Sequence, residues 1–177
     1  DIEVEDDVTA YLEYENGATG VFVTSTADAP GTNRFEVTLE RGKIVCEGTE
    51  LTVWRSEDGM TEPEFSAVNK IPFGNMKFVE TVEETDGMNL QHIGVLNAFA
   101  AHILRGEPLV ADGGEGINGL TLSNAMHLSA FTGKDVDINN FDHDLYYNEL
   151  MKRVATSKRK VVSETAAVAD MDSTYNA

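Results

Sequence analysis

Gly114-Glu115-Gly116-Ile117-Asn118-Gly119 is a literal G-x-G-x-x-G. In a dinucleotide-binding unit such a loop follows a buried strand and opens a helix whose N-terminal amides meet a pyrophosphate. Here the preceding apolar piece, Leu109-Val110-Ala111, is short, follows Pro108 and is broken by Asp112. Asp112 and Glu115 would face the phosphates with like charge. Asp135 or Asp137 sits about twenty residues on, where the fingerprint asks for an acid, but no strand-helix-strand unit surrounds it. The expectation is a glycine-rich lead into a helix, with no cofactor-binding residues in this chain.

The four histidines are scattered. His92 and His102 fall ten apart on one predicted helix, nearly aligned in angle but about 15 Å apart in rise, too far to share a metal. His127, beside Met126 and Leu128, reads as packed or half-exposed. In Asp142-His143-Asp144 neighbouring side chains diverge, and Asp142 suits a helix N-cap. No zinc-ligand spacing occurs, so no metal is expected. Ser25 and Ser129 lie in no nucleophile elbow, and the expected catalytic set in this chain is empty. For substrate contact the choice is Asn33 and Arg34, just after a Pro30-Gly31 loop at a strand's start, where a guanidinium can grip hydroxyl or carboxylate groups bidentately. The alternative for Arg34 is an ion pair with Glu36 or Glu40, or a contact across a dimer interface. His92, near the predicted junction of sheet and helix, is a further substrate-binding candidate.

The elements that must position these groups change character along the chain. From Val8 to about Thr85 the apolar period is two. Val8, Ala10, Leu12 and Tyr14 share one strand face, with Thr9, Tyr11 and Glu13 on the other. Asn16-Gly17 marks a tight hairpin turn. Strands follow at Thr19–Thr26, around Phe35, Val37 and Leu39, at Lys43–Cys46, at Leu51–Arg55 and at Met76–Thr85, with Arg41-Gly42 and Gly48 as turns. Residues 56–75, carrying Gly59, Pro63, Pro72 and Gly74, read as a long excursion. From Asn89 the spacing of Leu90, Ile93, Leu96, Phe99, Ile103 and Leu104 is helical, stopped by Arg105-Gly106. Helices are also predicted over Gly116–Phe131, ended by Thr132-Gly133, and over Asp142–Ala155, with a short extended piece at Asp135–Ile138 between them. Strands first and helices afterwards give an α+β class: an open, mostly antiparallel sheet of about six strands with helices packed on one face. Tyr11, Phe22, Phe35, Trp54 and Phe78 cannot all point inward under one helical layer. Some pack beneath the 56–75 excursion, or a second copy covers them in a closed dimer. Tyr11, Phe22, Phe35 and Trp54 are the interface candidates.

With 177 residues the chain fits one ordinary domain, read as 1–155, followed by a polar tail or docking arm over 156–177. Net charge is −18, from 31 acidic and 13 basic residues, a field that repels phosphate backbones and anionic membranes. No apolar run nears the ~20 residues of a membrane span. The single cysteine, Cys46, excludes an internal disulfide and suits a reducing compartment, read as the cytoplasm.

Glu5-Asp6-Asp7-Val8-Thr9-Ala10-Tyr11-Leu12 with Tyr14-Glu15-Asn16-Gly17-Ala18 resembles the D-x-x-x-x-x-x-Y-x-N-G hairpin of the glucose-fructose oxidoreductase / inositol dehydrogenase (Gfo/Idh/MocA) family. The resemblance continues through Pro30–Val37 and Arg41–Ile44. It is strongest in Asn97-Ala98-Phe99 with Ile103-Leu104-Arg105-Gly106-Glu107-Pro108-Leu109-Val110, then Glu115-Gly116 and Asn124–Ala130. It covers most of residues 5–155 and always the family's C-terminal half. The resemblance implies a two-domain NAD- or NADP-dependent oxidoreductase. Its preceding Rossmann half would bind the cofactor, and its sheet domain would shape a sugar or polyol pocket and pair subunits as a homodimer. This sequence departs from the family in lacking an apolar strand leading into a dinucleotide loop, a Glu-Lys-Pro motif and an Asp-x-x-x-His helix. The chain starts straight into a strand with no initiator Met or leader, and the expectation is that it is the back part of something larger, inactive alone. The alternative is a non-catalytic binding or assembly module that uses the same fold without a cofactor domain.

Overall fold

A computed structural model describes residues 5–72, 74–84 and 91–158. The expected tail beyond Lys158, the opening Asp1–Val4, the strand end at Thr85 and the helix start at Asn89-Leu90 lie outside the described residues. Contacts gather in two compact units that divide between Val110 and Ala111.

The first unit holds the six strands found among the described residues. β1 (Asp7–Glu13) and β2 (Thr19–Ser25) form an antiparallel hairpin, and β3 (Arg34–Leu39), β4 (Gly42–Glu47), β5 (Glu50–Ser56) and β6 (Phe78–Glu83) form an antiparallel meander in that order. The α+β class therefore holds, but the strands make a two-stranded and a four-stranded sheet where one sheet of about six was expected. The loop from Thr26 to Asn33 carries Pro30, whose nitrogen donates no ladder hydrogen bond, and β2 pairs with β1 and not with β3.

The β1–β2 turn differs in a way that matters. Tyr14 donates its N–H to the Ala18 carbonyl (2.9 Å), and its own carbonyl accepts from Gly17 (2.8 Å), closing a three-residue loop over Glu15–Gly17 with Gly17 at φ 85°. Asn16 Oδ1 accepts the Ala18 N–H at 3.0 Å. This register sets Ala10 opposite Phe22 and Tyr11 opposite Val21, so Tyr11 and Phe22 fall on opposite faces.

In the meander, alternation assigns Phe35, Val37, Leu39, Ile44, Cys46, Leu51, Val53 and Val79 to one face. Arg34, Glu36, Thr38, Lys43, Val45, Glu47, Thr52, Trp54, Phe78 and Glu80 take the other. Val45, Thr52 and Val53, at the centre of β4 and β5, are buried. Gly42 begins β4 so close to β5 that a methyl group there would lie 1.9 Å from the Trp54 carbonyl oxygen.

The 56–75 excursion contains a helix that strand-and-turn reasoning missed, α1 (Glu62–Val68). Thr61 Oγ1 accepts from the Glu64 N–H while the Glu64 carboxylate accepts from the Thr61 N–H at 2.8 Å, a capping box with Pro63 in the first turn. α2 (Gln91–Arg105) ends where expected: Gly106 takes φ 70° and donates to the His102 carbonyl. Ala101 is buried on it, whereas Ile93, Leu96, Phe99 and Leu104 are exposed.

The second unit packs α3 (Gly116–Thr132) against α4 (His143–Thr156). Ala125 and Leu128 are buried, Phe131 stacks on Tyr146 at 6.4 Å, and the Arg153 guanidinium lies 3.7 Å above the Phe131 ring. Gly133, at φ 65°, terminates α3, and Asp142 caps α4 by accepting the Leu145 N–H. Asp135–Ile138, expected as a short extended piece, lies in no helix or strand, and the Asp137 carboxylate accepts from the Asn139 N–H and the Asn140 side-chain amide just after it.

Candidate functional site

The polar face of the meander is built from cross-strand rows. Register puts Thr38 beside Lys43, Lys43 beside Trp54 and Trp54 beside Glu80, one row across all four strands. The Trp54 indole N–H donates to Glu80 at 2.7 Å, and the Lys43 ammonium sits 4.9 Å from the ring centroid. The indole is thus fixed from two sides.

The excursion returns over this row. Asp58 accepts from Ser56 Oγ (2.8 Å) and the Met60 N–H (3.0 Å), and the Glu57 N–H reaches the Lys77 carbonyl (3.0 Å), which ties the end of β5 to the start of β6. Those hydrogen bonds, the Met60 amide first, hold the Asp58 carboxyl below its usual range. α1 and the sheet then line one cleft of about 710 Å³. Its walls are Trp54, Phe65, Met76 and Phe78; Thr38, Lys43, Glu62, Ser66, Asn69 and Asn75 contribute its polar groups. A cleft of this size with apolar walls and a few polar groups matches the general form of a small-molecule site.

Arg34 stands on the same face, four residues up β3 from Thr38, roughly 13 Å along the strand. It bonds Glu36 at 2.5 Å and Glu47 at 2.6 Å, and these bonds, that to Glu36 first, raise its pKa further. Glu36 turns its other oxygen to Lys43 at 3.4 Å; the Arg34 hydrogen bond chiefly depresses its pKa. The guanidinium proposed for substrate is therefore engaged by two carboxylates, one of them the Glu36 named from sequence as the alternative partner. Asn33, just outside β3, accepts the Gly48 N–H through its carbonyl at 3.3 Å. His92 lies exposed in the first turn of α2. Neither Asn33, Arg34 nor His92 lines the cleft.

The four interface candidates divide. Tyr11 and Phe22 occupy opposite faces of the hairpin, and Phe35 and Trp54 opposite faces of the meander. Trp54 and Phe78 face the excursion, while Phe35 is 67 % exposed on the far side. Lys43, Phe65, Asn69 and Met76 were missed as site residues. The signal for Lys43 was its register position opposite Trp54; for Phe65 and Asn69 it was the Thr61-Glu62-Pro63-Glu64 helix start.

In the glycine-rich stretch the amides of Gly114 and Glu115 donate to Asp112 Oδ1, at 2.6 and 3.3 Å, within a 3-10 turn over Gly113–Glu115. Methyl groups at Gly116 or Gly119 would meet nothing within 4 Å, so neither glycine is demanded by a close backbone approach. His127 is half-buried against Phe131, and His143 meets Phe141 edge to face at 4.9 Å. Among the described residues no three His, Cys, Asp or Glu side chains converge, and no helix is long and apolar enough to cross a membrane.

No curated protein matches the chain. The GFO/IDH/MocA C-terminal domain family model matches residues 1–45. That stretch supplies β1, β2, β3 and the greater part of β4, including the Tyr14–Ala18 hairpin and Arg34. Over those strands the chain is similar to the GFO/IDH/MocA C-terminal domain.

Proposed function

We propose that this chain is the substrate-binding and dimerisation half of an NAD- or NADP-dependent oxidoreductase acting on a sugar, polyol or related hydroxy or keto compound. The observation that carries the reading is the family match over residues 1–45. Domains of this family belong typically to nicotinamide-dependent proteins, and the cofactor would sit on a dinucleotide-binding unit preceding this one. Residues 1–155 would act as a single domain, with 156–177 as a tail or docking arm.

Dimerisation would use the meander face of Phe35, Leu39 and Val79, which are 67, 52 and 50 % exposed around the half-buried Val37, Ile44 and Leu51. A two-fold axis through such a face buries the same patch on both copies. The substrate class leaves nucleic acid and membrane out of the partners, consistent with the charge of −18.

The test is the native gene product. Its mass and upstream peptides are measured, and its reduction of NAD and NADP is followed with a panel of sugars and polyols. The expected result is a dinucleotide-binding unit before Asp1 and turnover of at least one panel member. A native polypeptide beginning at or near Asp1 and inert towards the panel overturns the reading in favour of a binding module. Light scattering of the chain and of Phe35→Glu tests the face: a dimer that the variant dissociates is expected.

A further inference from the structure

We propose that the cleft between α1 and the meander binds a small organic cation: an ammonium carried on an apolar group, as in an arylalkylamine. The inference is independent of the oxidoreductase reading, whose compounds are neutral, and it stands or falls without it.

Carboxylates outnumber cations around this cleft. Glu40, in the β3–β4 turn, and Glu62, in the first turn of α1, both line it. Glu40 is unpaired among the described residues, and Glu62 accepts only the Ser66 hydroxyl, through one of its oxygens. Lys43, the one cation among the lining residues, is held by Glu36 at 3.4 Å. Glu80 accepts the Trp54 indole N–H at 2.7 Å and adds a further negative charge beside the wall. An anion entering the cleft meets like charge, whereas a cation finds two carboxylates presented by two different elements.

The walls decide which kind of cation fits. Trp54, Phe65 and Phe78 are aromatic, and Met76 adds a thioether. An aromatic face attracts an ammonium, and this wall already displays the contact: Lys43 Nζ lies 4.9 Å from the Trp54 ring centroid. An apolar body uses Phe65 and Phe78, and an ammonium uses Glu40 and Glu62. A bare metal ion lacks the first, and among the described residues no three His, Cys, Asp or Glu side chains converge to hold one. A neutral ring leaves the carboxylates without a partner. Asn69 uses one donor and one acceptor position on Ile71, both at 3.0 Å, and keeps a lone pair that can accept from an ammonium. At about 710 Å³ the cleft has room for a ring with a short amine arm.

Trp54 is the one tryptophan of the chain, so its emission reports this wall. The 177-residue chain is titrated at neutral pH and low salt with benzylamine, benzyl alcohol and benzoate, probes of one shape and different charge. Saturable binding of benzylamine, about tenfold tighter than benzyl alcohol, is expected, with benzoate the weakest. Glu40→Gln and Glu62→Gln keep the size of the side chain, and Glu40 stands in an exposed turn where the exchange leaves the fold intact. Each should weaken benzylamine about threefold and leave benzyl alcohol unchanged. Asp144→Asn, in the first turn of α4, removes the same unit of charge elsewhere and should change neither. No saturable response to benzylamine, benzyl alcohol binding as tightly, or an affinity unchanged in both glutamate variants each overturns the proposal. An equal weakening in Asp144→Asn assigns the attraction to the net charge of −18 and overturns the site as well.

Discussion

Gly42→Ala puts the meander's geometry to the sharpest test. The added methyl would lie 1.9 Å from the Trp54 carbonyl oxygen and 3.3 Å from the Arg55 Cα, so the obstacle is backbone, not a side chain that can swing aside. A comfortable separation is roughly 1.5 Å greater. Reaching it means parting β4 from β5 where Gly42 pairs with Arg55 and where the Ser56 N–H donates to the Arg41 carbonyl at 2.8 Å. Overpacking commonly costs about 1–3 kcal/mol. A clash with a paired strand belongs at the upper end, about 3 kcal/mol. With urea slopes of about 1–3 kcal/mol/M, the unfolding midpoint should fall by roughly 1–3 M. Trp54 emission is the assay, because the displaced carbonyl belongs to the reporting residue. Gly113→Ala, whose methyl meets nothing within 4 Å, is the control and should change stability by no more than about 0.5 kcal/mol. If Gly42→Ala unfolds at the wild-type midpoint, the close approach of β4 to β5 is wrong.

Thr61→Ala removes one arm of the capping box and should cost about 1 kcal/mol, with faster amide exchange at Glu64, whose N–H the Thr61 hydroxyl accepts. Unchanged exchange there would refute the cap. Gly119→Ala places a methyl in open space inside α3 and should raise stability by about 0.5–1 kcal/mol in thermal melts; a loss would mean that the glycine serves a close contact. Glu64 has its pKa lowered from 4.5, chiefly by the Thr61 backbone N–H. A depressed folded-state carboxyl contributes stability that is complete above its unfolded pKa and lost as pH falls through the folded one. The stability difference between wild type and Glu64→Gln should therefore be constant above about pH 5 and shrink below about pH 4. A difference that widens on acidification would reverse the assigned sign.

Much of the fold was legible because its signals are local. Period-two alternation located all six strands, and Gly106 and Gly133 stopped α2 and α3 at the anticipated places. α1 was hidden because Pro63, Pro72, Gly59 and Gly74 weigh as breakers when counted, although Pro63 in a first turn after Thr61, with Glu64 at the third position, is a start signal. The partition into two sheets was not legible. Whether β2 pairs with β3 depends on the path of the Thr26–Asn33 loop, which no periodicity encodes.

The site was obscured by one residue of register. An Asn16-Gly17 turn of two residues would pair Glu15 with Ala18 and set Tyr11 directly opposite Phe22, a continuous aromatic patch. The observed loop of three pairs Tyr14 with Ala18 and sends Phe22 through the sheet to the other face. Composition is identical in the two cases; only the hydrogen bonds of Tyr14 distinguish them. The same logic governs the meander, where counting aromatics merges Phe35 with Trp54 and pairing separates them. Once separated, the two sides differ in character. The Phe35 side sets exposed Phe35, Leu39 and Val79 beside the Arg55–Glu83 ion pair. On the Trp54 side Glu36 joins Arg34 to Lys43, and Lys43 lies over the indole of the cleft. Of Arg34's two readings from sequence, the ion pair with Glu36 is the one seen.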